Sequence, residues 1–154
     1  MEAALESGVS ARNELAAELV RSAGELRLRV TGSSMLPAIR PGDELLIRRC
    51  AIVTAGVGEV ILFARDGRLF VHRVIAQSGE TLLVRGDAVT APDPSVSASE
   101  FLGKVVQVWR GQRPIPIRSG MSVRERIVAQ FVRRSTMAAR LITRYCTPKV
   151  RADP

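Results

Sequence analysis

Short runs of alternating apolar and polar residues, separated by turn-forming residues, dominate the first 110 positions of the chain. The runs that have the length and composition of β-strands lie at residues 26–31, 44–49, 58–64, 68–76, 81–85 and 101–109. Asp66-Gly67 lies between two of them, and an Asp-Gly pair in that position is a strong signal for a tight hairpin. Residues 86–99 are rich in Pro and Ser and predict a loop, and Pro114 and Pro116 exclude a central strand around them. These features predict a mainly β core of antiparallel strands.

A helical pattern precedes this β region. Ser10 can cap a helix that ends at Gly24, and residues 1–9 are expected to be frayed. The apolar positions with helical spacing are Leu15, Ala16, Leu19, Val20 and Ala23. We expect this helix to pack over the sheet through that stripe.

A second helical pattern follows the β region, over residues 121–146. Ser122 and Glu125 form a capping box at its start. One side of the predicted helix is apolar and the other is almost wholly arginine, the pattern of a helix at a membrane interface. The chain therefore divides into a helical extension at 1–24, a β domain at 25–118 and a basic helix and tail at 119–154.

Composition and charge limit the classes of function. Apolar residues make up 46% of the 154 positions, and no run of about 18 apolar residues occurs. The net charge is +8, and residues 121–154 hold eight Lys and Arg against two acids. An anionic membrane surface is the expected contact for residues 121–146, with packing on the β core as the alternative. Aromatic residues are only 4%, so nucleic acid is not expected as a partner.

Other composition features point to a cytoplasmic protein without a cofactor. The acidic start of the chain does not have the pattern of a secretory signal. Cys50 and Cys146 have no metal-ligand spacing and are interpreted as free thiols. The chain has no Gly-rich phosphate loop, and neither a metal nor a cofactor is expected. A cytoplasmic location, with peripheral membrane contact through 121–146, is the expectation.

The candidate chemistry lies in the loop at 31–43, which contains Ser33 and Ser34 between two predicted strands. The single histidine of the chain, His72, lies within the strand-like run 68–76, and Asp93 follows in the Pro-rich loop. A serine hydroxyl is a weak nucleophile until a base takes its proton. Serine, histidine and aspartate together can supply a nucleophile, a base and a group that orients the base.

Four short motifs in this order resemble the conserved boxes of the signal peptidase I family. They are Ser34-Met35-x-Pro37 with Gly42-Asp43, the run Gly58–Phe63, Val71-His72-Arg73-Val74-Ile75, and Arg85-Gly86-Asp87 with Asp93 and then Gly103-Lys104. The His-Arg-Val box is similar to that of the histidine-base branch, the archaeal and endoplasmic-reticulum type. The resemblance covers residues 26–110 and implies a coiled antiparallel β-sheet fold and serine endopeptidase activity.

The resemblance also implies a role for each site residue. Ser34 would be the nucleophile, His72 the general base and Asp93 the acid that fixes the imidazole tautomer. Many relatives have a serine two places before the nucleophile, where this chain has Gly32, so Ser33 or a backbone amide would complete the oxyanion site. Met35 would line the substrate groove or pack in the core.

Three charged residues near the site are expected to play no part in the chemistry. Asp43 and Asp87 are interpreted as turn acids that bond backbone amides, although Asp87 competes with Asp93 for the orienting role. Arg73 is expected as a solvated or paired charge on the opposite face of its strand.

Three functions remain open from the sequence. The first is cleavage of leader or signal-like peptides, with a peptide or preprotein as substrate. The second is self-cleavage of the kind found in repressors of the same fold, which cut an Ala-Gly bond; Ala23-Gly24 and Ala55-Gly56 are the candidate bonds. The third is a catalytically inactive peptide-binding module. Hydrogen-bond distances among Ser34, His72 and Asp93 would favour the enzyme.

Overall fold

The computed structural model describes residues 2–117, and only the backbone at residues 2–7 and 9. One helix precedes eight strands in this part of the chain. The elements are α1 (Glu2–Ala23), β1 (Glu25–Arg29), β2 (Glu44–Arg48), a 3₁₀ turn (Ile52–Thr54), β3 (Val60–Arg65), β4 (Arg68–Ser78), β5 (Thr81–Arg85), β6 (Val96–Ser97), β7 (Phe101–Arg110) and β8 (Arg113–Ile115). The predicted helix over residues 121–146, the segment 119–154 and Cys146 lie outside the described residues. The mainly β fold is confirmed.

The strands form one antiparallel sheet in the order β1-β2-β7-β3-β4-β5-β6, and β8 also pairs with β7. The central strand β3 is buried on both faces because its four buried apolar residues alternate between two cores. Val60 and Leu62 join a core with α1, whereas Ile61 and Phe63 join a second core with β5 and β6. The sheet therefore has both faces covered around the middle of β3.

The tight turn between β3 and β4 agrees with the sequence prediction. Asp66 and Gly67 both have positive φ angles, 50° and 69°, as a two-residue hairpin turn requires. Asn13 of α1 donates a hydrogen bond to the Gly67 carbonyl at 3.0 Å. This contact ties the helix to the end of the hairpin.

Helix α1 differs from the prediction in its start and in its buried face. It begins at Glu2 rather than near Ser10, because residues 2–6 are mostly strong helix formers. Its buried residues are Ala17 and Val20, whereas Leu15 and Leu19 are 61% and 44% exposed. The predicted stripe is therefore wrong in part: Val20 is buried as predicted, but the small residue Ala17 packs in place of the leucines, which permits close approach to the sheet. Its end at Gly24, where φ is 77°, is as predicted.

Two short strands were not predicted from the sequence. Strand β6 lies within the Pro/Ser-rich loop and pairs with β5 through Leu82 and Val96, both fully buried. Strand β8 contains Pro114 and pairs only with the end of β7, an edge position that suits proline. Each forms by pairing with another strand, and a run of two or three residues is too short to show the alternation that predicts a strand.

The register leaves an unpaired edge on two strands that face the same groove. Strand β5 pairs with β4 only from Arg73 onward, so the stretch from Arg68 to His72 pairs with β3 alone among the described strands. Strand β1 pairs with β2 on one side only.

No helix within residues 2–117 combines the length and apolar character needed to cross a membrane.

Candidate active site

The loop between β1 and β2 presents Ser34 on a turn anchored by apolar side chains. Met35, Leu36 and Ile39 are at most 3% exposed, and Ile39 donates a backbone hydrogen bond to the Met35 carbonyl at 3.0 Å. Because these neighbours are buried, the turn holds the half-buried Ser34 in one place.

Asp43 closes this loop at its far end. Its carboxylate accepts a hydrogen bond from the Arg40 amide at 2.9 Å, the type of contact expected of a turn acid. It also forms two bonds with the Arg110 guanidinium, at 2.9 and 2.7 Å. The ion pair with Arg110, 67 positions away, could not be read from the local motif.

Ser34, His72 and Asp93 form a continuous chain of hydrogen bonds. His72 Nε2 lies 3.0 Å from Ser34 Oγ, and His72 Nδ1 lies 2.6 Å from Asp93 Oδ2. An ionised carboxylate can only accept, so the Asp93 contact places the imidazole proton on Nδ1. Nε2 is then free to accept the Ser34 hydroxyl proton, as the base of a serine nucleophile must.

Burial and ring contacts hold the His72 imidazole in this orientation. His72 is 5% exposed, and Phe63 meets the ring edge-on with centroids 6.0 Å apart. Phe70 lies 6.1 Å from the same ring and stacks on Phe63 at 5.3 Å. These aromatic neighbours restrict the rotation of the imidazole and exclude water from one side of it.

The turn after β5 packs directly against the backbone of Ser34. The Ala88 amide donates to the Ser34 carbonyl at 2.8 Å. A Cβ at Gly86 would lie 2.7 Å from the same carbonyl oxygen and 3.1 Å from His72 Nε2. Only glycine fits this space, so Gly86 permits the approach of the nucleophile loop to the base. The motif Arg85-Gly86-Asp87 contains this glycine, but its steric role cannot be recognised from the sequence.

Asp87 and Arg73 form a buried ion pair. Arg73 is 7% exposed, and its guanidinium bonds both carboxylate oxygens of Asp87 at 2.9 and 2.7 Å and the Gly58 carbonyl at 2.7 Å. Arg73 is therefore paired, as one of its two predicted alternatives stated, but it is not solvated. Asp87 lies in a buried ion pair behind the site, and Asp93 is the acid in contact with His72.

Arg65 holds the segment that follows Asp93, and the sequence analysis missed it. Its guanidinium donates to the carbonyls of Pro94 at 3.2 Å and Ser95 at 3.0 Å, and to Glu100 at 2.5 Å. Glu100 also accepts from the amide and hydroxyl of Ser97 at 2.9 and 3.0 Å. The Arg65 hydrogen bond holds the pKa of Glu100 at about 2, and the same contact raises the pKa of Arg65. No local pattern marks Arg65 as different from other strand arginines.

An open groove of about 950 Å³ leads to Ser34 and His72. It is lined by one side of α1, by β1 with the loop that follows it, and by the first half of β4. Ser33 and Met35 line it on either side of Ser34, and Met35 also belongs to the core beneath. Both alternatives for Met35, groove and core, are therefore combined in one side chain.

The described residues contain no cluster of three or more His, Cys, Asp or Glu side chains that could hold a metal ion. The hydroxyl of Ser34, the imidazole of His72 and the carboxylate of Asp93 are the groups that nucleophilic acyl transfer uses. The catalytic roles of these residues remain predictions that the geometry makes chemically consistent.

A known family matches the part of the chain that contains these residues. The family model Peptidase S24-like matches residues 2–106, which run from α1 into β7 and include the three site residues. No curated protein matches the chain significantly. Since the match covers more than half of the 154 residues, the chain belongs to the Peptidase S24-like family.

Proposed function

We propose that the protein is a serine endopeptidase that cleaves leader or signal-like peptides with Ser34 as nucleophile, His72 as base and Asp93 as the orienting acid. Family membership supports a function of the serine-peptidase or self-cleaving type. The observation that carries the proposal is the bridge that His72 makes between Ser34 Oγ and Asp93 Oδ2, at 3.0 and 2.6 Å.

The reaction follows from this geometry. His72 Nε2 takes the hydroxyl proton as Ser34 Oγ attacks the substrate carbonyl, and the resulting imidazolium is stabilised by Asp93. The amide of Ser34 and a second donor near Ser33 would stabilise the oxyanion. His72 then returns the proton to the leaving amine, and water hydrolyses the acyl-enzyme by the same steps.

A histidine base, rather than a lysine base, is favoured by the contacts of Lys104. The chain has two lysines, Lys104 and Lys149, and only Lys104 lies within residues 2–117. The Lys104 ammonium donates to the Glu59 carboxylate at 3.0 and 3.2 Å and to the Thr54 carbonyl at 3.1 Å. The engagement of Lys104 and the contact between His72 and Ser34 support the proposal that His72, and not a lysine, is the base.

Self-cleavage is the second candidate, and the two Ala-Gly bonds do not favour it. Gly24 lies at the end of α1, and its carbonyl accepts from the Arg49 amide at 2.8 Å. Ala55 is fully buried, and the Gly56 amide donates to Glu59 at 2.7 Å. Neither bond lines the groove that leads to Ser34, so cutting either in its own chain would require rearrangement.

The intact mass of the purified protein separates these two candidates. We expect the full mass to persist during storage at neutral and alkaline pH. Fragments that begin at Gly24 or Gly56, and that are absent from Ser34→Ala, would favour self-cleavage instead.

The proposed activity is tested on a proteome-derived peptide library with product identification by mass spectrometry. We expect wild-type protein to produce new termini, and Ser34→Ala and His72→Ala to produce none. The double variant should lose no more than either single variant, because the two residues act as a unit. Circular dichroism and thermal melting verify that each variant is folded. Cleavage that persists in folded Ser34→Ala would contradict the nucleophile assignment.

A further inference from the structure

The groove that leads to Ser34 carries positive charge without any compensating acid. The charged residues that line it are Arg12, Arg27, Arg29 and Arg68, and its lining includes no Asp or Glu. The other lining residues are apolar or neutral, apart from His72 at its end. A cleft lined by charge of one sign focuses the electrostatic field on whatever enters it.

Three of these arginines are available to a ligand. Arg12, Arg29 and Arg68 are exposed, and none forms an ion pair with a described carboxylate. Arg27 differs, because its guanidinium lies over the Trp109 ring, 4.8 Å from the centroid. Two exposed acids, one on α1 and one on β1, pair with arginines that do not line the groove. Glu18 lies 3.9 Å from Arg21, and Glu25 lies 2.7 Å from Arg48.

The strand directions fix where the arginines lie relative to the reacting atoms. Strand β4 runs from Arg68 toward His72, and β1 runs through Arg27 and Arg29 into the loop that carries Ser34. Arg68 precedes His72 by four residues, which is roughly 13 Å along an extended chain. Arg12 lies beside Asn13, which binds Gly67 at the same end of the groove. Arg12 and Arg68 therefore lie toward the same end of the groove, and about four residues of extended chain separate Arg68 from His72.

We propose that the substrate of this site is an extended peptide with acidic side chains three to five residues from the scissile bond. The unpaired edge of β4 from Arg68 to His72 would accept the peptide backbone, while Arg12 and Arg68 meet its carboxylates. This inference rests on the proposed peptidase function for its direction toward Ser34. The charge preference itself concerns binding and can be measured without cleavage.

The test uses Ser34→Ala protein and two fluorescein-labelled ten-residue peptides, one with three glutamates and one with glutamines in their places. Fluorescence anisotropy gives the dissociation constants. We expect the glutamate peptide to bind more tightly, and the difference to shrink as salt is raised. Arg12→Gln with Arg68→Gln should weaken its binding by about 2- to 30-fold, the range for two exposed charge pairs. Binding of the glutamine peptide should change little.

A matched control separates the groove from the general basicity of the chain. Arg49→Gln with Arg113→Gln removes the same charge from exposed residues that do not line the groove and that form no ion pair with a described carboxylate, and it should leave the preference intact. The basic segment 121–154 is present in all of these proteins. Equal binding of the two peptides, or equal loss in both double variants, would overturn the inference. So would tighter binding of a labelled single-stranded oligonucleotide that depends on Arg12 and Arg68.

Cleavage assays keep the two proposals distinguishable. If library peptides are cut, acidic residues should be enriched three to five positions from the cut site in wild type and not in the Arg12→Gln, Arg68→Gln variant. Cleavage without this enrichment overturns the acidic-peptide inference and leaves the peptidase intact. A charge preference in binding without any cleavage contradicts the peptidase and supports the groove assignment.

Discussion

Replacing Gly86 by alanine is expected to separate catalytic geometry from stability. The new methyl group would lie 2.7 Å from the Ser34 carbonyl oxygen, 2.9 Å from Val89 Cγ2 and 3.1 Å from His72 Nε2. Ordinary contacts of a Cβ begin near 3.4 Å, so the Ser34 carbonyl must retreat by about 0.7 Å and the imidazole by about 0.3 Å. The methyl group would press on His72 Nε2 and on the backbone of Ser34, and we therefore expect the 3.0 Å hydrogen bond between Ser34 Oγ and His72 Nε2 to lengthen or bend.

The size of the effect follows from these displacements. A misplacement of about 1 Å can cost about 10²-fold in rate, so we expect kcat to fall about 10- to 100-fold. Overpacking should also lower the free energy of unfolding, by about 1–3 kcal/mol. The rate is measured on a fluorogenic peptide derived from a library cut site, per folded molecule, and stability by urea denaturation.

Gly103 provides a control with a similar steric defect elsewhere. A Cβ there would lie 2.5 Å from the Arg48 carbonyl oxygen, in contact with the end of β2 rather than with the site. Gly103→Ala should therefore lose stability but keep the kcat of the folded fraction. If Gly86→Ala retains wild-type kcat while its stability falls, the steric reasoning is refuted.

Three further predictions concern charged groups. Asp93→Asn should lower kcat by about 10²–10⁴-fold with little change in stability, because the imidazole loses the acceptor that fixes its tautomer. Asp87→Asn should instead cost about 3–5 kcal/mol of unfolding free energy, because Arg73 is left buried without its carboxylate. If kinetics and urea denaturation show the reverse, the two aspartates exchange roles. The pKa of Glu100 is lowered from 4.5 to about 2, so its contribution to stability is complete above about pH 4.5 and is lost as the pH falls toward 2. Glu100→Gln should therefore flatten the pH dependence of the melting temperature between these pH values. An unchanged curve would contradict this. We propose that residues 121–146 bind anionic membranes, so the full chain should co-sediment with anionic but not neutral liposomes at low salt, and equal, negligible binding to both would argue for packing on the core.

Much of the fold was predictable because local chemistry decides it. The Asp66-Gly67 turn needs two residues that tolerate positive φ, and the sequence supplies them at one place between two apolar runs. Gly24 ends α1 for a similar reason. The apolar run of β3 predicts a strand by composition, but only the assembled sheet assigns alternate residues to the two cores. Strand β6 depends on its partner alone, so its two residues could not be recognised locally.

Tertiary contacts determine which face of α1 is buried. Helical spacing predicts one apolar stripe that contains Leu15, Leu19 and Val20. The structure buries Val20 together with the small residue Ala17 and leaves the two leucines exposed, while Asn13 bonds the hairpin turn. Close packing and one hydrogen bond to a distant carbonyl outweigh the hydrophobicity of the exposed leucines.

The candidate site divides in the same way. The sequence by itself determined which residue types are present: a serine on a rigid loop, a single histidine on a strand and an aspartate between prolines. Only the tertiary structure decided that Ser34 and His72, 38 positions apart, lie within hydrogen-bond distance, and that Asp93 rather than Asp87 meets the imidazole. Such contacts join separate strands, and their distances depend on sheet register and packing, which no local pattern encodes.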